Sequence, residues 1–237
     1  RTVTKLMKNW QFTGPDGKVT AVDLPHTWNN IDGQDGGNDY KRCTCLYQTS
    51  FAKPAFDADS QQVWLQFEGV NASAAVTLNG TEVICHDGGY STFRADVTAL
   101  LADENTLTVA VDNSKNDRVY PQKADFTFYG GIYRDVSLLV VHKDHIALNY
   151  LGSCGVRITP TVKGSSADIR VQTRVEGEGE VEITICDAAG STVLNGSGTD
   201  TTLTLQHPRL WDGVRDPYLY NCNVRLVNNG VAVDEVT

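Results

Sequence analysis

The chain has 237 residues, which is enough for two domains of ordinary size, each with its own core. Its 41% hydrophobic and 21% charged residues are typical of folded proteins and argue against disorder. A net charge of -9 argues against nucleic-acid binding, which needs concentrated lysine and arginine, and no apolar run is long enough to span a bilayer. We therefore expect a soluble protein without nucleic-acid or membrane partners.

The first half of the chain reads as antiparallel β-structure. Short β-branched and aromatic runs alternate with Gly, Asn and Asp, and no helical periodicity is sustained. Asn79-Gly80 predicts a tight hairpin turn, and residues 97–105 predict one helical turn capped by Asp96. The predicted strands are CTCLYQTSF, QQVWLQFEGV, AAVTLNGTEVICHD, STFRADV, NTLTVAVDN and YRDVSLLVVH.

A second series of strand candidates begins after the last strong strand of the first half, and we place the domain boundary between residues 142 and 143. Strand candidates then follow at even spacing, which predicts an immunoglobulin-like sandwich over residues 143–237. Its last segment, VRLVNNGVAVDEVT, predicts a hairpin whose second strand stops abruptly, so we expect this domain to be cut short. The sequence thus predicts an all-β protein of two sandwiches.

The six cysteines are too few and too dispersed for a disulfide scaffold, so we expect them to be reduced and the protein to be cytoplasmic. Cys43 and Cys45 should point to the same face of a strand, but no second pair stands at metal-ligand spacing. His142 and His145 do not complete a zinc set either. We expect no bound metal and no cofactor.

No catalytic residue is predicted in this chain. Glycosidic cleavage needs a protonated and an ionised carboxyl flanking the bond, but nearly all Asp and Glu residues lie in turn-like contexts. The nucleophile elbow G-x-S-x-G and the phosphate-binding G-x-x-x-x-G-K-[ST] are both absent. The loop DGQDGGNDY, residues 32–40, fails the spacing of a calcium-binding EF-hand and is more typical of a conformationally special loop, a kind that often lines binding pockets.

The segment richest in candidate binding residues is KADFTFYGGIYRDVSLLV, residues 123–140. Asp125 lies beside Phe126, Phe128 and Tyr129, and a carboxylate beside aromatic rings suits sugar recognition, since it accepts from hydroxyls while the rings cover C–H faces. A buried turn capped by Asp125 explains the same residues equally well. The residues alone leave both interpretations open.

Together, several motifs resemble the N-terminal part of glycoside hydrolase family 2, which includes β-galactosidases, β-glucuronidases and β-mannosidases. The resemblance implies a jelly-roll sugar-binding domain over residues 1–142, then an immunoglobulin-like domain. A third domain, a (β/α)₈ barrel with both catalytic glutamates, would follow. The motifs are W-x-F at 10–12, LPHTWN at 24–29, the 32–40 loop, FEGVNASAAVTLNG at 67–80, ENTLTVAVDN at 104–113, DFTFYGGIYRDVSL at 125–138 and HPRLWDGVRDPYLY at 207–220.

The resemblance also assigns roles to residues. It implies that Asp125 contacts the terminal sugar, with sodium ligation as a weaker carry-over, and that Asp35 is a second sugar contact. It implies a paired structural role for Arg134. We further expect all four tryptophans, at positions 10, 28, 64 and 211, to lie in the core.

The leading hypothesis is the non-catalytic front portion of a retaining, exo-acting glycoside hydrolase, with β-galactosidase favoured. It would build part of the pocket for a terminal β-linked sugar and stabilise assembly, and a homo-oligomer of the full-length protein remains open. One alternative is a free-standing carbohydrate-binding module, which detectable sugar affinity without a barrel would support. Another is an architectural or oligomerisation sandwich, which a large apolar surface patch would favour.

Overall fold

The computed structural model describes residues 1–33, 40–122, 127–150 and 152–237. These residues divide into two compact units, Thr2–Val140 and Val141–Thr237, and the second unit also includes Arg1. The division lies two residues before the boundary predicted from the sequence. The predicted fold class is confirmed, because the units are β-sandwiches of the jelly-roll and immunoglobulin-like kinds.

The first unit is built from twelve strands, of which the last runs across the division. They are β1 (Thr2–Lys5), β2 (Trp10–Thr13), β3 (Val19–Val22), β4 (Thr44–Ala52), β5 (Gln61–Phe67), β6 (Val70–Asn71), β7 (Ser73–Leu78), β8 (Thr81–Asp87), β9 (Phe93–Asp96), β10 (Glu104–Asp112), β11 (Gly131–Ile132) and β12 (Val136–His142).

Two sheets enclose the core of this unit, with strand orders β1-β12-β5-β9 and β3-β2-β4-β10-β7-β8. Alternation decides which side chains enter the core, since successive residues of a strand point to opposite faces. Val109 in β10 lies opposite Tyr47 in β4 and Val76 in β7, and all three are fully buried. Strand β10 is therefore a central strand of the larger sheet, with β4 on one side and β7 on the other.

Two local predictions in this unit are confirmed. Asn79 and Gly80 have φ values of 53° and 82° and close the β7–β8 hairpin, as expected of a two-residue turn that needs left-handed backbone. The predicted helical turn is a 3₁₀ turn at Thr98–Leu100. Its N-cap residue is Val97 rather than the predicted Asp96, which instead accepts the Thr98 amide at 2.9 Å from one position earlier. Both features follow from local side-chain chemistry.

The second unit contains nine strands in three sheets, with orders β13-β16, β14-β15-β19 and β18-β17-β20-β21. Its core is made of alternating aliphatic residues, including Ile146, Val171, Ile183 and Leu226, all at most 1% exposed. The strands are β13 (His145–Ile146), β14 (Val156–Lys163), β15 (Ser166–Thr173), β16 (Val175–Glu176), β17 (Glu180–Cys186), β18 (Thr192–Ser197), β19 (Asp200–Gln206), β20 (Asn221–Asn228) and β21 (Val231–Val236).

One tryptophan does not lie where the sequence predicts. Trp10 is fully buried, and Trp28 and Trp64 are partly buried. Trp211 is 64% exposed, so its predicted place in the core is wrong. It lies between β19 and β20, outside any strand that could turn its ring inward.

Other sequence features have simple structural counterparts. All six cysteines are free thiols, and the Sγ atoms of Cys43 and Cys45 lie 3.6 Å apart. The described part of the chain contains no cluster of three metal-ligating side chains. Among the same residues there is no helix with the length and hydrophobicity needed to cross a lipid bilayer.

Candidate functional site

The candidate site is built around the chain that follows the predicted sugar contact Asp125. Strand β11 pairs with β6, so that Gly131 lies opposite Asn71 and Ile132 opposite Val70. Both apolar members of this ladder, Val70 and Ile132, are fully buried in the core. The pairing of β6 with β11 therefore fixes the C-terminal end of residues 127–130, the segment that follows the predicted sugar contact.

Two buried asparagine side chains hold the backbone of residues 128–130. Asn29, which is 0% exposed, donates from Nδ2 to the Phe128 carbonyl at 3.0 Å and accepts the Gly130 amide at Oδ1 at 2.8 Å. Asn71, 5% exposed, donates to the Tyr129 carbonyl at 2.8 Å. Because a buried amide costs free energy unless paired, these contacts fix both the asparagines and the segment.

The Gly130-Gly131 doublet is required by close packing. A Cβ at Gly130 would lie 2.3 Å from the indole ring of Trp28. Gly131 has φ of 133°, and a Cβ there would lie 2.5 Å from the His26 carbonyl oxygen. Only glycine allows the segment to approach residues 26–28 this closely.

Beneath the doublet lies a neutral polar pair. His26 Nδ1 and the Tyr47 hydroxyl are 2.7 Å apart. Burial lowers the pKa of His26 and raises the pKa of Tyr47, so both side chains are uncharged near neutral pH and share one hydrogen bond whose donor is set by the imidazole tautomer. The Phe12 ring packs 4.8 Å from the His26 ring and 5.1 Å from the Tyr47 ring. The Tyr47 hydroxyl would lie 2.7 Å from a Cβ at Gly131, so this pair packs directly under the doublet.

A small tyrosine-lined cavity opens beside the clamped segment. It has a volume of about 80 Å³ and is lined by Asn71, Tyr90, Thr127, Tyr129 and Tyr133. Tyr90 is 52% exposed and Tyr129 39% exposed. Burial raises the pKa of Tyr90, so its hydroxyl remains protonated and able to donate, whereas the Tyr133 hydroxyl already donates to the Gly89 carbonyl. Aromatic faces with hydroxyl donors suit a sugar ring.

The predicted pocket loop 32–40 is closed at its base by a direct contact. The Lys41 amide donates to Asp32 Oδ2 at 2.6 Å, which joins the two ends of the loop. The Lys41 carbonyl accepts from the Trp28 indole at 3.1 Å and from Asn113 Nδ2 at 3.1 Å. Trp28 therefore touches both the base of this loop and Gly130.

Arg42 connects the base of the 32–40 loop to the chain on either side of residues 123–126. Its guanidinium donates to the Asn113 carbonyl at 3.1 Å and to the Gln122 carbonyl at 3.0 Å, and lies 6.0 Å from the Phe128 ring centre. The chain entering residues 123–126 is thus tied to the chain leaving the 32–40 loop. The two predicted site segments share one supporting scaffold.

The two predicted sugar contacts, Asp125 and Asp35, lie outside the described residues, so their roles stay predictions. Arg134 is exposed, its guanidinium lies 5.7 Å from the Tyr133 ring, and the described residues give it no ion pair. The predicted paired role is therefore not seen. Sequence reasoning assigned no role to Asn29 or Asn71, although an asparagine inside a core-forming motif signals a paired buried amide.

Seven described carboxyl groups are poor candidates for the acid of glycosidic cleavage. The pKa of each is lowered, and each of these side chains bonds to a cation or a backbone amide. A general acid needs a raised pKa, so these shifts have the wrong direction for that role. The groups concerned are Asp23, Asp87, Asp144, Asp168, Asp200, Asp216 and Asp234.

Two family models cover almost the whole chain. The model described as "Glycosyl hydrolases family 2, sugar binding domain" matches residues 6–142, and the one described as "Glycosyl hydrolases family 2" matches residues 150–237. The chain belongs to glycosyl hydrolase family 2. The clamped segment and the tyrosine-lined cavity lie within the sugar-binding match.

The chain spans about a third of the length of the relatives it matches. A β-glucuronidase of Bacteroides fragilis is 32% identical over 98% of this chain and 36% of its own length. A β-galactosidase of Thermoanaerobacter pseudethanolicus is 26% identical over 96% of this chain and 32% of its own length. The crystal structure of an FMN-binding β-glucuronidase from Faecalibacterium prausnitzii L2-6 matches with a TM-score of 0.93 and 34% identity, covering 99% of this chain and 38% of that one.

Proposed function

We propose that this chain is the non-catalytic portion of a family 2 exo-glycosidase that forms one wall of the pocket for a terminal β-linked sugar. The observation that carries the proposal is the clamp of Asn29 and Asn71 on residues 128–130, because it fixes the chain directly after Asp125. A sugar contact needs such a rigid support to keep its position against the reacting bond.

Catalysis itself is assigned to the remainder of a longer polypeptide. The chain matches 36% of the Bacteroides fragilis β-glucuronidase and 38% of the solved Faecalibacterium prausnitzii protein, so most of each relative lies outside the match. Retaining hydrolysis by two glutamates in that remainder is part of the proposal. In this proposal, the present chain positions the sugar, and the remainder of the polypeptide supplies the acid and the nucleophile.

For the substrate, the relatives favour a β-glucuronide over the β-galactoside expected from the sequence. The Bacteroides and Faecalibacterium relatives are both named β-glucuronidases, at 32% and 34% identity, whereas the Thermoanaerobacter β-galactosidase is 26% identical. A solved structure from Bacteroides fragilis that is named a putative β-galactosidase is also 34% identical. The residues that discriminate the two sugars belong, in this proposal, to the catalytic remainder. β-Galactosidase activity is accordingly the second candidate.

The direct test compares this chain with the longer polypeptide on 4-nitrophenyl β-glucuronide and β-galactoside. We expect hydrolysis only by the longer polypeptide, and faster with the glucuronide. Turnover by the 237-residue chain alone would refute the proposal, and preference for the galactoside would reverse the choice of substrate. A flavin absorbance band in the purified protein would contradict the expectation of no cofactor.

The predicted sugar contacts are tested in the same longer polypeptide. Asp125→Asn and Asp35→Asn should raise KM, because an amide oxygen is a weaker acceptor for sugar hydroxyls than a carboxylate. Asp16→Asn is the matched control, since Asp16 is an exposed turn residue that accepts the Lys18 amide. If Asp125→Asn changes KM no more than Asp16→Asn does, the assignment of Asp125 is wrong.

A further inference from the structure

The loop between β19 and β20 exposes an unusual number of apolar side chains. Leu210 is 51% exposed, Trp211 64%, Val214 101% and Leu219 66%. We call these four side chains the apolar loop face. A single exposed hydrophobic residue needs no explanation, but four within ten residues mark a surface that is normally covered.

The loop is held in shape by contacts of its own. Arg209 donates to both carboxylate oxygens of Asp216, at 2.9 and 2.8 Å, and its guanidinium lies 4.4 Å from the Tyr218 ring centre. The Asp212 amide donates to the Asp216 carbonyl at 2.7 Å and closes the turn that carries Val214. Because the loop is already ordered, little conformational entropy remains to be lost when a partner covers it.

Two tyrosine hydroxyls of the loop are paired within its own unit. The Tyr218 hydroxyl accepts the Ala188 amide at 3.2 Å, and the Tyr220 hydroxyl accepts the Arg209 amide at 3.0 Å. The charged side chains of Asp212 and Arg215 face solvent beside the apolar loop face and would form a polar rim around it. The exposed tryptophan is also the residue type most enriched among side chains that anchor interfaces.

We infer that the apolar loop face is a docking surface for the catalytic remainder of the longer polypeptide. This inference rests on the proposed function. The same fold in the Faecalibacterium prausnitzii structure accounts for 38% of that chain, so the larger part of such a protein is available to cover the loop. The loop lies within residues 150–237, which the second family model matches, so it is part of the shared fold rather than an appendage.

Hydroxyl-radical footprinting tests the docking directly. The oxidation rate of Trp211 is measured in the 237-residue chain and in the longer polypeptide, with Trp10, fully buried, and Tyr120, 72% exposed, as internal references. We expect Trp211 to oxidise at a rate near that of Tyr120 in the chain alone. In the longer polypeptide its rate should fall toward that of Trp10.

Hydrolase activity of the same samples separates the two proposals. An active longer polypeptide in which Trp211 remains as reactive as in the chain alone would overturn the docking inference and leave the proposed function standing. An inactive polypeptide with protected Trp211 would support docking while the proposed activity fails. Protection of Trp211 in the chain alone that grows with concentration would assign the surface to a second copy and overturn the inference.

A substitution provides a second measure. Trp211→Ser should lower the unfolding temperature of the longer polypeptide by several degrees and leave that of the 237-residue chain nearly unchanged, because the ring has few contacts there. Val19→Ser is the control, since Val19 is 55% exposed but lies in the first unit. Equal shifts for Trp211→Ser in both proteins would contradict docking.

Discussion

The side-chain oxygen of Asn29 accepts the backbone amide of Gly130 at 2.8 Å, although the two residues lie 101 positions apart. The same side chain donates to the Phe128 carbonyl, and the bond is fully buried. One asparagine therefore fixes the chain that leads back to the predicted sugar contact. Removing it would take away the hydrogen bond that each of these two backbone groups makes with Asn29.

Asn29→Ala should accordingly destabilise the first unit by roughly 2–4 kcal/mol, because two buried hydrogen bonds to the backbone are lost. Urea unfolding measures the stability, and hydrogen exchange of the Gly130 amide reports the lost bond. Asn149→Ala, at an exposed position, serves as the control. Unchanged exchange at Gly130 in the Asn29→Ala variant would mean that the clamp does not hold the segment.

Gly130→Ala tests the close approach of the segment to Trp28. The added methyl would lie 2.3 Å from the indole ring, so either the ring or the segment must move. We expect a loss of more than about 2 kcal/mol, beyond the usual cost of alanine at a glycine site. Urea unfolding gives the value, and a change in tryptophan fluorescence would report movement of the indole.

Gly17→Ala separates the steric clash from ordinary backbone strain. Gly17 has φ of 76° with no atom near a built Cβ, so alanine there costs only the left-handed conformation, about 1–2 kcal/mol. If Gly130→Ala were no more destabilising than Gly17→Ala, the contact with Trp28 would not be tight.

Local patterns predicted much of the fold because the deciding interactions are local. Alternation placed the strands, and Asn79-Gly80 placed a hairpin turn, since both depend on residues close in sequence. The clamp could not be derived in this way. It needs Asn29 beside Gly130, a pairing that only the assembled sandwich creates. Trp211 was misplaced for a related reason, because composition favours burial of tryptophan but does not locate a loop.

The Cys45 thiol should be unreactive in the folded protein. It is 1% exposed, and burial raises its pKa to about 12. Since the thiolate is the reactive form, an aromatic disulfide reagent at pH 8 should label the exposed Cys154 within minutes and Cys45 only after urea is added. Mass spectrometry of the labelled peptides distinguishes the two. Equal rates at Cys45 and Cys154 in the native protein would contradict this placement.

Acid should weaken the second unit through Asp234, which is 3% exposed. Burial alone would raise its pKa, but hydrogen bonds and charge from Arg1, with the amides of Ile146 and Glu235, hold the pKa below its ordinary value. The folded state then binds fewer protons than the unfolded state in acid. The stabilisation is complete above about pH 4, the unfolded value, and is lost as pH falls through the lower folded value.

Asp234→Asn removes this titration and leaves a group of similar shape. Arg1 approaches the carboxylate to 2.6 Å, so the variant should lose roughly 2 kcal/mol near neutral pH, because the partly buried guanidinium loses its counter-charge. Urea unfolding between pH 2 and 7 should show the difference between wild type and variant shrinking below pH 4. A difference that stays constant across this range would mean that Asp234 is not the group that titrates.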